Sequence, residues 1–152
     1  MDDAGIYARE SPILDRWVQL GIAQGRVISV DFPTEPEPDA SDEHELLDRV
    51  DGYLEGVEES FTDVPVALTV PTAQRGVLEA VRGIPYGTAV GVEKIASMTA
   101  GLDPGDDDDQ RLVRTALAEN PTPLFVPDHR VRDGPSAAPA PVEQKFRSIE
   151  GL

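Results

Sequence analysis

Cysteine is absent from this chain of 152 residues. Its absence excludes disulfides, cysteine-based zinc sites, iron–sulfur clusters and a thiolate nucleophile. Apolar runs are short, and none approaches the roughly 20 residues that a membrane helix needs. The acidic start, MDDAGIYARE, lacks the cationic and apolar segments of a signal peptide. We therefore expect a cytoplasmic protein without a membrane partner, folded as one domain or as two small subdomains.

Lysine is nearly absent as well, because only Lys94 and Lys145 among the 13 basic residues are lysines. The 29 acidic residues give a net charge of −16, and only 5% of the residues are aromatic. This composition is typical of proteins from salt-loving organisms, since surface charges repel one another weakly when the Debye length is only ~3 Å at about 1 M salt. An ordinary acidic protein is the alternative interpretation.

The acidic charge is unevenly distributed along the chain. Residues 1–71 contain 17 acidic and 4 basic residues, whereas residues 72–152 contain 12 acidic and 9 basic residues. Five of those 12 acidic residues lie in one short segment, residues 102–109. Outside this segment the second half is slightly basic, so the net charge of the whole chain does not exclude nucleic acid as a partner.

The first half shows the pattern of a β-hairpin followed by a helix. Apolar residues alternate on both sides of a Gln24-Gly25 turn, namely Val18, Leu20, Ile22, Ile28, Val30 and Phe32. After a polar linker at residues 33–42, a helix capped by Ser41 or Asp42 is predicted. Its apolar face contains Leu46, Leu47, Val50, Tyr53, Leu54 and Val57. Residues 64–70 form an apolar extended connector.

The second half is predicted to be mainly helical. One helix is capped by Thr72 and ends at Gly83, a second covers residues 92–99 and buries Met98, and a third begins near Asp108. The second and third helices with the turn between them favour a helix-turn-helix. A short strand at residues 124–126, an irregular loop at 135–141 and a last helix at 142–149 complete the prediction.

Four short motifs follow one another in the second half. They are Ile84-Pro85-Tyr86-Gly87, Arg111-Leu112-Val113, Asn120-Pro121 and Pro127-Asp128-His129-Arg130-Val131. In this order and spacing they resemble the methylated-DNA–protein-cysteine methyltransferases, the suicide repair proteins that remove alkyl groups from guanine. The resemblance extends from about residue 46 to residue 150. It implies an α/β fold with a small ribonuclease-H-like sheet subdomain at residues 1–70 and a mostly helical, winged-helix-like DNA-binding subdomain at residues 71–152.

The chain departs from the family pattern at several positions. Asp128 stands where the family has its acceptor cysteine, and Val92 replaces the family tyrosine that follows the Ile-Pro-Tyr-Gly motif. The loop before the third helix is longer than usual and acidic, and residues 135–141, PSAAPAP, replace the usual lesion-binding segment. Alkyltransferase-like proteins of this family also lack the cysteine and bind damaged DNA without repairing it. The resemblance therefore implies DNA binding without suicide alkyl transfer.

The resemblance also implies roles for individual residues. His129 and Glu150 match the family's base and its orienting carboxylate, so Asp128, His129 and Glu150 form a degenerate catalytic site. Arg111 matches the arginine that enters the duplex beside the extruded base, and Arg114 and Arg75 are weaker candidates for phosphate contacts. Four residues are expected to support the site structurally, namely Asn120, Tyr86, Gly87 and Arg130. No cofactor and no metal are expected, because the family's zinc ligands include cysteines.

The chemistry of Asp128 leaves alternatives open. A carboxylate is ionised at pH 7 and needs no base, but it is a poor nucleophile toward alkyl ethers, and an ester formed on it would hydrolyse. A hydrolytic or other base-modifying enzyme using Asp128, His129 and Glu150 is therefore one alternative. A carboxylate that binds a base would disfavour the oxygen of alkylated guanine and favour exocyclic amino groups. In the plainest interpretation, Asp128 only pairs with His129 or Arg130.

We expect a monomer whose partner is double-stranded DNA, with or without a modified base, and which recruits other repair proteins. Whether the chain is an enzyme stays undecided at this point, since the family's acceptor is missing. A domain that has lost DNA binding and serves in protein interaction is the remaining alternative.

Overall fold

Three antiparallel strands form the one sheet found within residues 4–152, the part of the chain that the structure, a computed structural model, describes. The strands β1 (Gly5–Ser11), β2 (Arg16–Ala23) and β3 (Arg26–Asp31) lie in the order β1-β2-β3. The predicted hairpin is confirmed, with Gln24 and Gly25 at φ of 54° and 73° in its two-residue turn. Strand β1 was not predicted, since its sequence, GIYARES, shows no apolar alternation.

The pairing of β2 with β3 contains a β-bulge. Gly21 pairs with Ser29 and Ile22 with Val27, so Ile28 is an extra residue on β3. The extra residue reverses the side to which the preceding side chains point, so that Val27 is buried and Ile28 is 37% exposed. Although Ile28 alternates with Val30 and Phe32 in the sequence, it therefore does not share their buried face.

Five helices follow the sheet, as predicted. They are α1 (Glu45–Leu54), α2 (Thr72–Arg82), α3 (Val92–Met98), α4 (Asp107–Ala118) and α5 (Ala140–Glu150). Most of the apolar positions spaced at 3.6 residues are buried in α1, α2 and α4, which explains why the periodicity located these helices correctly. Helices α2, α3 and α4 pack against one another, and the predicted pair of short helices is formed by α3 and α4.

Several predicted details at the ends of these elements are wrong. His44, rather than Ser41 or Asp42, caps α1 by accepting a hydrogen bond from the backbone of Leu46, and Thr72 is the first residue of α2 rather than its cap. Val57 and Met98 are exposed instead of buried, because both lie at or beyond the end of their helices. Residues 124–126 are buried but form no strand: Leu124, with a left-handed φ of 79°, and Phe125 form a turn, and Val126 forms only an isolated bridge with Pro123.

Two hydrophobic clusters form the core. The first joins the sheet, α1 and α5, and it includes Leu124, Phe125 and Phe146. The second joins α2, α3 and α4, and it includes Val126 and Val131. The segment at residues 124–131 therefore lies between the two clusters, and a 3-10 turn, Asp128–Arg130, occupies its centre. The division of the chain into subdomains at residues 70 and 71 stays a prediction.

No helix within residues 4–152 combines the length and the apolar character that crossing a membrane would require.

Gly134 is expected to be irreplaceable in the second cluster. A Cβ atom at this position would lie 2.6 Å from Cδ1 of Leu117 and 3.3 Å from methyl groups of Val92 and Val131. Because these side chains are buried and close-packed, we expect Gly134→Ala to lower the free energy of unfolding by about 1–3 kcal/mol. Urea denaturation measures this change.

Gly52→Ala is the matched control for this prediction. Gly52 lies within α1, and its added Cβ would have only ordinary contacts at 3.8 Å or more. Alanine should stabilise the helix by about 0.5–1 kcal/mol. Equal effects of the two substitutions would show that Gly134 is not sterically constrained.

Candidate functional site

The 3-10 turn between the two clusters buries three consecutive polar residues. Asp128, His129 and Arg130 are 1%, 1% and 3% exposed. Buried charged groups are costly unless hydrogen bonds or opposite charges compensate them. Their partners therefore define what this site can do.

Glu150, at the end of α5, is the common partner of two of these residues. Its Oε2 lies 2.5 Å from Nε2 of His129, and its Oε1 accepts a hydrogen bond of 2.7 Å from Nε of Arg130. The hydroxyl of Tyr53 donates to Oε2 at 2.5 Å, and the backbone N–H of Gly87 donates to Oε1 at 3.0 Å. The Glu150 side chain has no exposed surface. Four distant segments of the chain thus meet at one carboxylate.

The ionisation of Glu150 reflects this environment. Burial by itself would raise the pKa of Glu150, but the hydrogen bonds from His129, Arg130 and Tyr53 outweigh it and hold the pKa well below its usual range. The same contacts act on Tyr53, since burial and the neighbouring carboxylate raise the pKa of its hydroxyl. Glu150 is therefore a carboxylate and Tyr53 a neutral donor at physiological pH.

Arg130 connects this carboxylate to the Ile-Pro-Tyr-Gly segment. Its Nη1 donates to the carbonyl of Ile84 at 2.8 Å, and its guanidinium lies 5.7 Å from the ring centre of Tyr86. Gly87 follows with a left-handed φ of 75°, which a residue without Cβ adopts readily and which accompanies the hydrogen bond from its N–H to Glu150. The four motif residues are thus tied to α5 through Arg130 and Glu150.

Asp128 belongs to a separate set of hydrogen bonds. Its Oδ1 accepts from the Ser136 hydroxyl at 2.5 Å, and its Oδ2 accepts from the backbone N–H of Ala137 at 2.9 Å and from Nδ2 of Asn120 at 3.1 Å. The interpretation in which Asp128 pairs with His129 or Arg130 is therefore wrong, because Glu150 accepts the hydrogen bonds of both. Burial raises the pKa of Asp128, and its hydrogen bonds oppose that rise.

Asn120 holds the turn that carries Asp128. Besides its bond to Asp128, its Nδ2 donates to the carbonyl of Val126 at 3.0 Å, and its Oδ1 accepts from the backbone N–H of Thr122 at 3.0 Å. One buried amide thus bridges the end of α4 and residues 122–128. The two ring nitrogens of His129 differ. Its Nε2 contacts Glu150, whereas its Nδ1 is buried without a hydrogen-bond partner in the described part of the chain.

The three arginines that were singled out for DNA contacts lie elsewhere, on exposed surfaces. Arg111 and Arg114 are exposed on α4, and Arg75 is exposed on α2. The Arg111 side chain is 73% exposed, and its Nη1 lies 2.8 Å from Oδ1 of Asp108. The structure therefore brings the polar site residues together and leaves the arginines outside that cluster.

The acidic segment at residues 106–109 caps and stabilises the start of α4. Asp106 caps α4 by accepting hydrogen bonds from the backbone of Asp108 and Asp109 at 2.8 Å and 3.1 Å. Asp107, Asp108 and Asp109 occupy the first turn, where negative charge interacts favourably with the helix dipole. This segment thus stabilises the start of α4 while placing negative charge beside Arg111.

Tyr53 and Ser136 are site residues that sequence reasoning missed. Tyr53 was assigned to the core because it lies on the apolar face of α1. The signal available was its hydroxyl, since a buried tyrosine needs a hydrogen-bond partner. Ser136 is the one polar side chain in residues 135–141, which was the only indication that this loop contacts a polar group.

Replacing Glu150 by glutamine should destabilise the fold in a pH-dependent manner. Glu150→Gln leaves buried Arg130 without its carboxylate, and we expect a loss of about 3 kcal/mol in the free energy of unfolding at pH 7. Because folding lowers the pKa of Glu150, its stabilising contribution is complete above the unfolded pKa of about 4.3 and is lost as the pH falls below it. Thermal unfolding of both proteins between about pH 7 and pH 3 measures the difference.

Glu143→Gln on the same helix is the control, since Glu143 lies 3.9 Å from Arg147 in a partly exposed pair that contributes little. A constant difference between wild type and Glu150→Gln over the whole pH range would contradict the assigned ionisation.

Comparison with known proteins identifies the family. The family model described as 6-O-methylguanine DNA methyltransferase, DNA binding domain, matches residues 72–138. The chain is 36% identical over 129 residues to the methylated-DNA–protein-cysteine methyltransferase of Methanopyrus kandleri. The aligned region covers 82% of this chain and 93% of that protein. It is 33% identical over 86 residues to the protein of the same name from Metallosphaera sedula, and this aligned region covers 57% of this chain and 51% of that protein.

Solved structures show the same fold. The Mycobacterium tuberculosis OGT in complex with DNA superposes with a TM-score of 0.70 at 22% identity, over 97% of this chain and 91% of that chain. The O6-methylguanine-DNA methyltransferase of Pyrococcus kodakaraensis gives a TM-score of 0.70 at 19% identity, over 97% and 100% of the two chains. The predicted α/β class is confirmed by the three-stranded sheet and five helices. By its sequence and fold, the chain belongs to the methylated-DNA–protein-cysteine methyltransferase family, as a member that contains no cysteine.

Proposed function

We propose that this chain binds double-stranded DNA in a repair-related role and does not take alkyl groups onto itself. The observation that carries the proposal is the combination of a matched DNA-binding domain with an acceptor position held by a buried, hydrogen-bonded carboxylate. The name of the family's domain and the DNA complex of a structural neighbour support DNA as the partner.

Helix α4 supplies the DNA contacts in this proposal. Arg111 projects from its second turn with a largely exposed side chain, which suits insertion into a duplex beside an extruded base. Arg114 is exposed one turn further along α4, and Arg75 is exposed on α2, where both can meet phosphates. The buried residues Asn120 and Arg130, the partly buried Tyr86, and Gly87 support the turn that carries Asp128 in this proposal.

Suicide transfer fails at Asp128 for two reasons. A carboxylate is a weak nucleophile toward an alkyl ether, unlike the thiolate that the family uses. In addition, both Asp128 oxygens already accept hydrogen bonds from Ser136, Ala137 and Asn120, which lowers their reactivity further. The hydrogen bond between His129 and Glu150 would suit a base and its orienting group, but the chain offers them no thiol to activate.

The two alternative functions have less support. A hydrolytic enzyme would need Asp128 to reach an alkyl carbon, yet Asp128 is 1% exposed and lies behind Ser136 and Ala137. A protein-interaction module without DNA binding would leave the exposed Arg111 and Arg114 without a role.

Arg111→Ala should weaken duplex binding, whereas Asp108→Asn should strengthen it. Asp108 competes with DNA for Arg111, since the two side chains lie 2.8 Å apart. We expect Arg111→Ala to lower the affinity for duplex DNA about tenfold, equivalent to ~1.4 kcal/mol of binding free energy. We expect Asp108→Asn to raise the affinity by a smaller factor. Fluorescence anisotropy with plain, alkylated and deaminated duplexes over a range of KCl concentrations measures both, because phosphate contacts weaken steeply with salt.

Arg16→Ala is the control for these variants, since Arg16 lies on β2 in the sheet and carries the same charge. Absence of binding to every duplex by the folded wild-type protein would contradict the proposal and favour the interaction module.

Incubation with duplex DNA containing O6-alkylguanine should leave both molecules unchanged. Intact-mass spectrometry of the protein should show no added alkyl group, and nuclease digestion should recover all of the alkylated base. A stable mass gain would contradict the absence of transfer. Loss of the alkyl group from DNA, abolished by Asp128→Ala but not by Arg16→Ala, would establish the hydrolytic enzyme instead.

A further inference from the structure

A concave surface between the sheet and α2 is separate from the Asp128 site. Its cavity volume is about 510 Å³. The connector before α2 forms one wall, with Val66, Leu68 and Thr69, and the other walls carry Arg26, Arg75, Arg82 and Glu79. We call it the arginine cavity.

The charge of the arginine cavity is opposite to that of the chain. Three of the 13 basic residues line it, in a protein whose net charge is −16, and Glu79 is its one acidic lining residue. Arg75, Glu79 and Arg82 are separated by one helical turn each and so share one face of α2, while Arg26 comes from the start of β3. Within residues 4–152, none of the three arginines forms an ion pair.

Arg82 is the most constrained of the three. It is half-buried, and its Nη2 donates to the carbonyls of Phe61, at 2.9 Å, and Val64. Its Nε is buried without a hydrogen-bond partner among the described residues. Burial lowers the pKa of Arg82, and only the charge of Asp63 opposes that effect. A half-buried guanidinium with a free donor is a group that an anion would stabilise.

We propose that the arginine cavity binds a phosphate group. Guanidinium groups present forked donors that match the several oxygens of a phosphate, and three of them can meet one dianion from different sides. Thr69 is a further polar residue of the lining. The cavity thus gathers three unpaired arginines in one place.

The size of the cavity indicates that the phosphate group belongs to a larger compound. A volume of about 510 Å³ exceeds that of a single ion and lies within the range of small-molecule sites. Val66, Ala67 and Leu68 offer an apolar wall for the remainder of an ester. The phosphate group can come from a free nucleotide or from the backbone of a bound duplex, and Arg75 would meet it in either case.

The test follows the Nε–Hε signal of Arg82 by NMR at constant KCl and pH 7. Inorganic phosphate and a nucleoside 5′-monophosphate are titrated separately into the full chain up to about 10 mM, where even weak sites with a Kd near 1 mM fill. We expect the monophosphate to shift this signal saturably. Arg75→Gln and Arg26→Gln should each weaken the apparent affinity about tenfold, whereas Arg16→Gln, at an arginine of β2 that does not line the cavity, should leave it unchanged.

A duplex arm distinguishes the two sources of phosphate. If a short duplex shifts the Arg82 signal and the monophosphate displaces it, the backbone is the source. If the duplex binds through Arg111 without shifting that signal, the ligand is a free phosphate compound. Absence of any shift with all three probes, or shifts that Arg75→Gln and Arg26→Gln do not weaken, would overturn the proposal. Because the first two titrations contain no DNA, this outcome is independent of whether the chain binds a duplex.

Discussion

The carboxylate of Glu150 holds together parts of the chain that are far apart in sequence. Tyr53 reaches it from α1, Gly87 from the segment after α2, and His129 and Arg130 from the 3-10 turn. These groups belong to both sides of the boundary between the two hydrophobic clusters. A buried carboxylate is tolerated only when its hydrogen bonds and counter-charge are complete. The positions of His129 and Arg130 therefore depend on this one side chain.

The two buried carboxylates of the site have opposite environments. Glu150 faces a guanidinium, an imidazole and a phenol, which keep it ionised. Asp128 faces a hydroxyl, a backbone N–H and an amide, all neutral donors, and burial raises its pKa. Glu150 thus preserves the framework that orients His129. Asp128 is instead an attachment point for residues 136 and 137, so its side chain contributes to structure.

The acidic composition is compatible with an anion-binding protein because acidic and basic residues lie on different parts of the surface. Asp106 to Asp109 stabilise the start of α4, and Asp48 and Asp51 pair with Arg9 on the sheet. Arg26, Arg75 and Arg82 remain unpaired within the described residues and line one cavity. In concentrated salt, repulsion between such separated regions is screened over a few ångströms. Local arrangement, rather than net charge, then decides what the surface binds.

The sequence by itself determined the five helices, the hairpin turn and the family, because apolar spacing, turn residues and ordered motifs are local signals. It also located Asp128, His129, Arg130 and Glu150. Only the tertiary structure decided which of them interact: Tyr53 and Glu150 are 97 residues apart, and Ser136 reaches Asp128 across a loop of unfamiliar sequence. The bulge at Ile28 and the placement of Arg26 and Arg82 in one cavity could not be predicted from the sequence either. Such contacts depend on how the sheet and helices pack, and no local pattern encodes that packing.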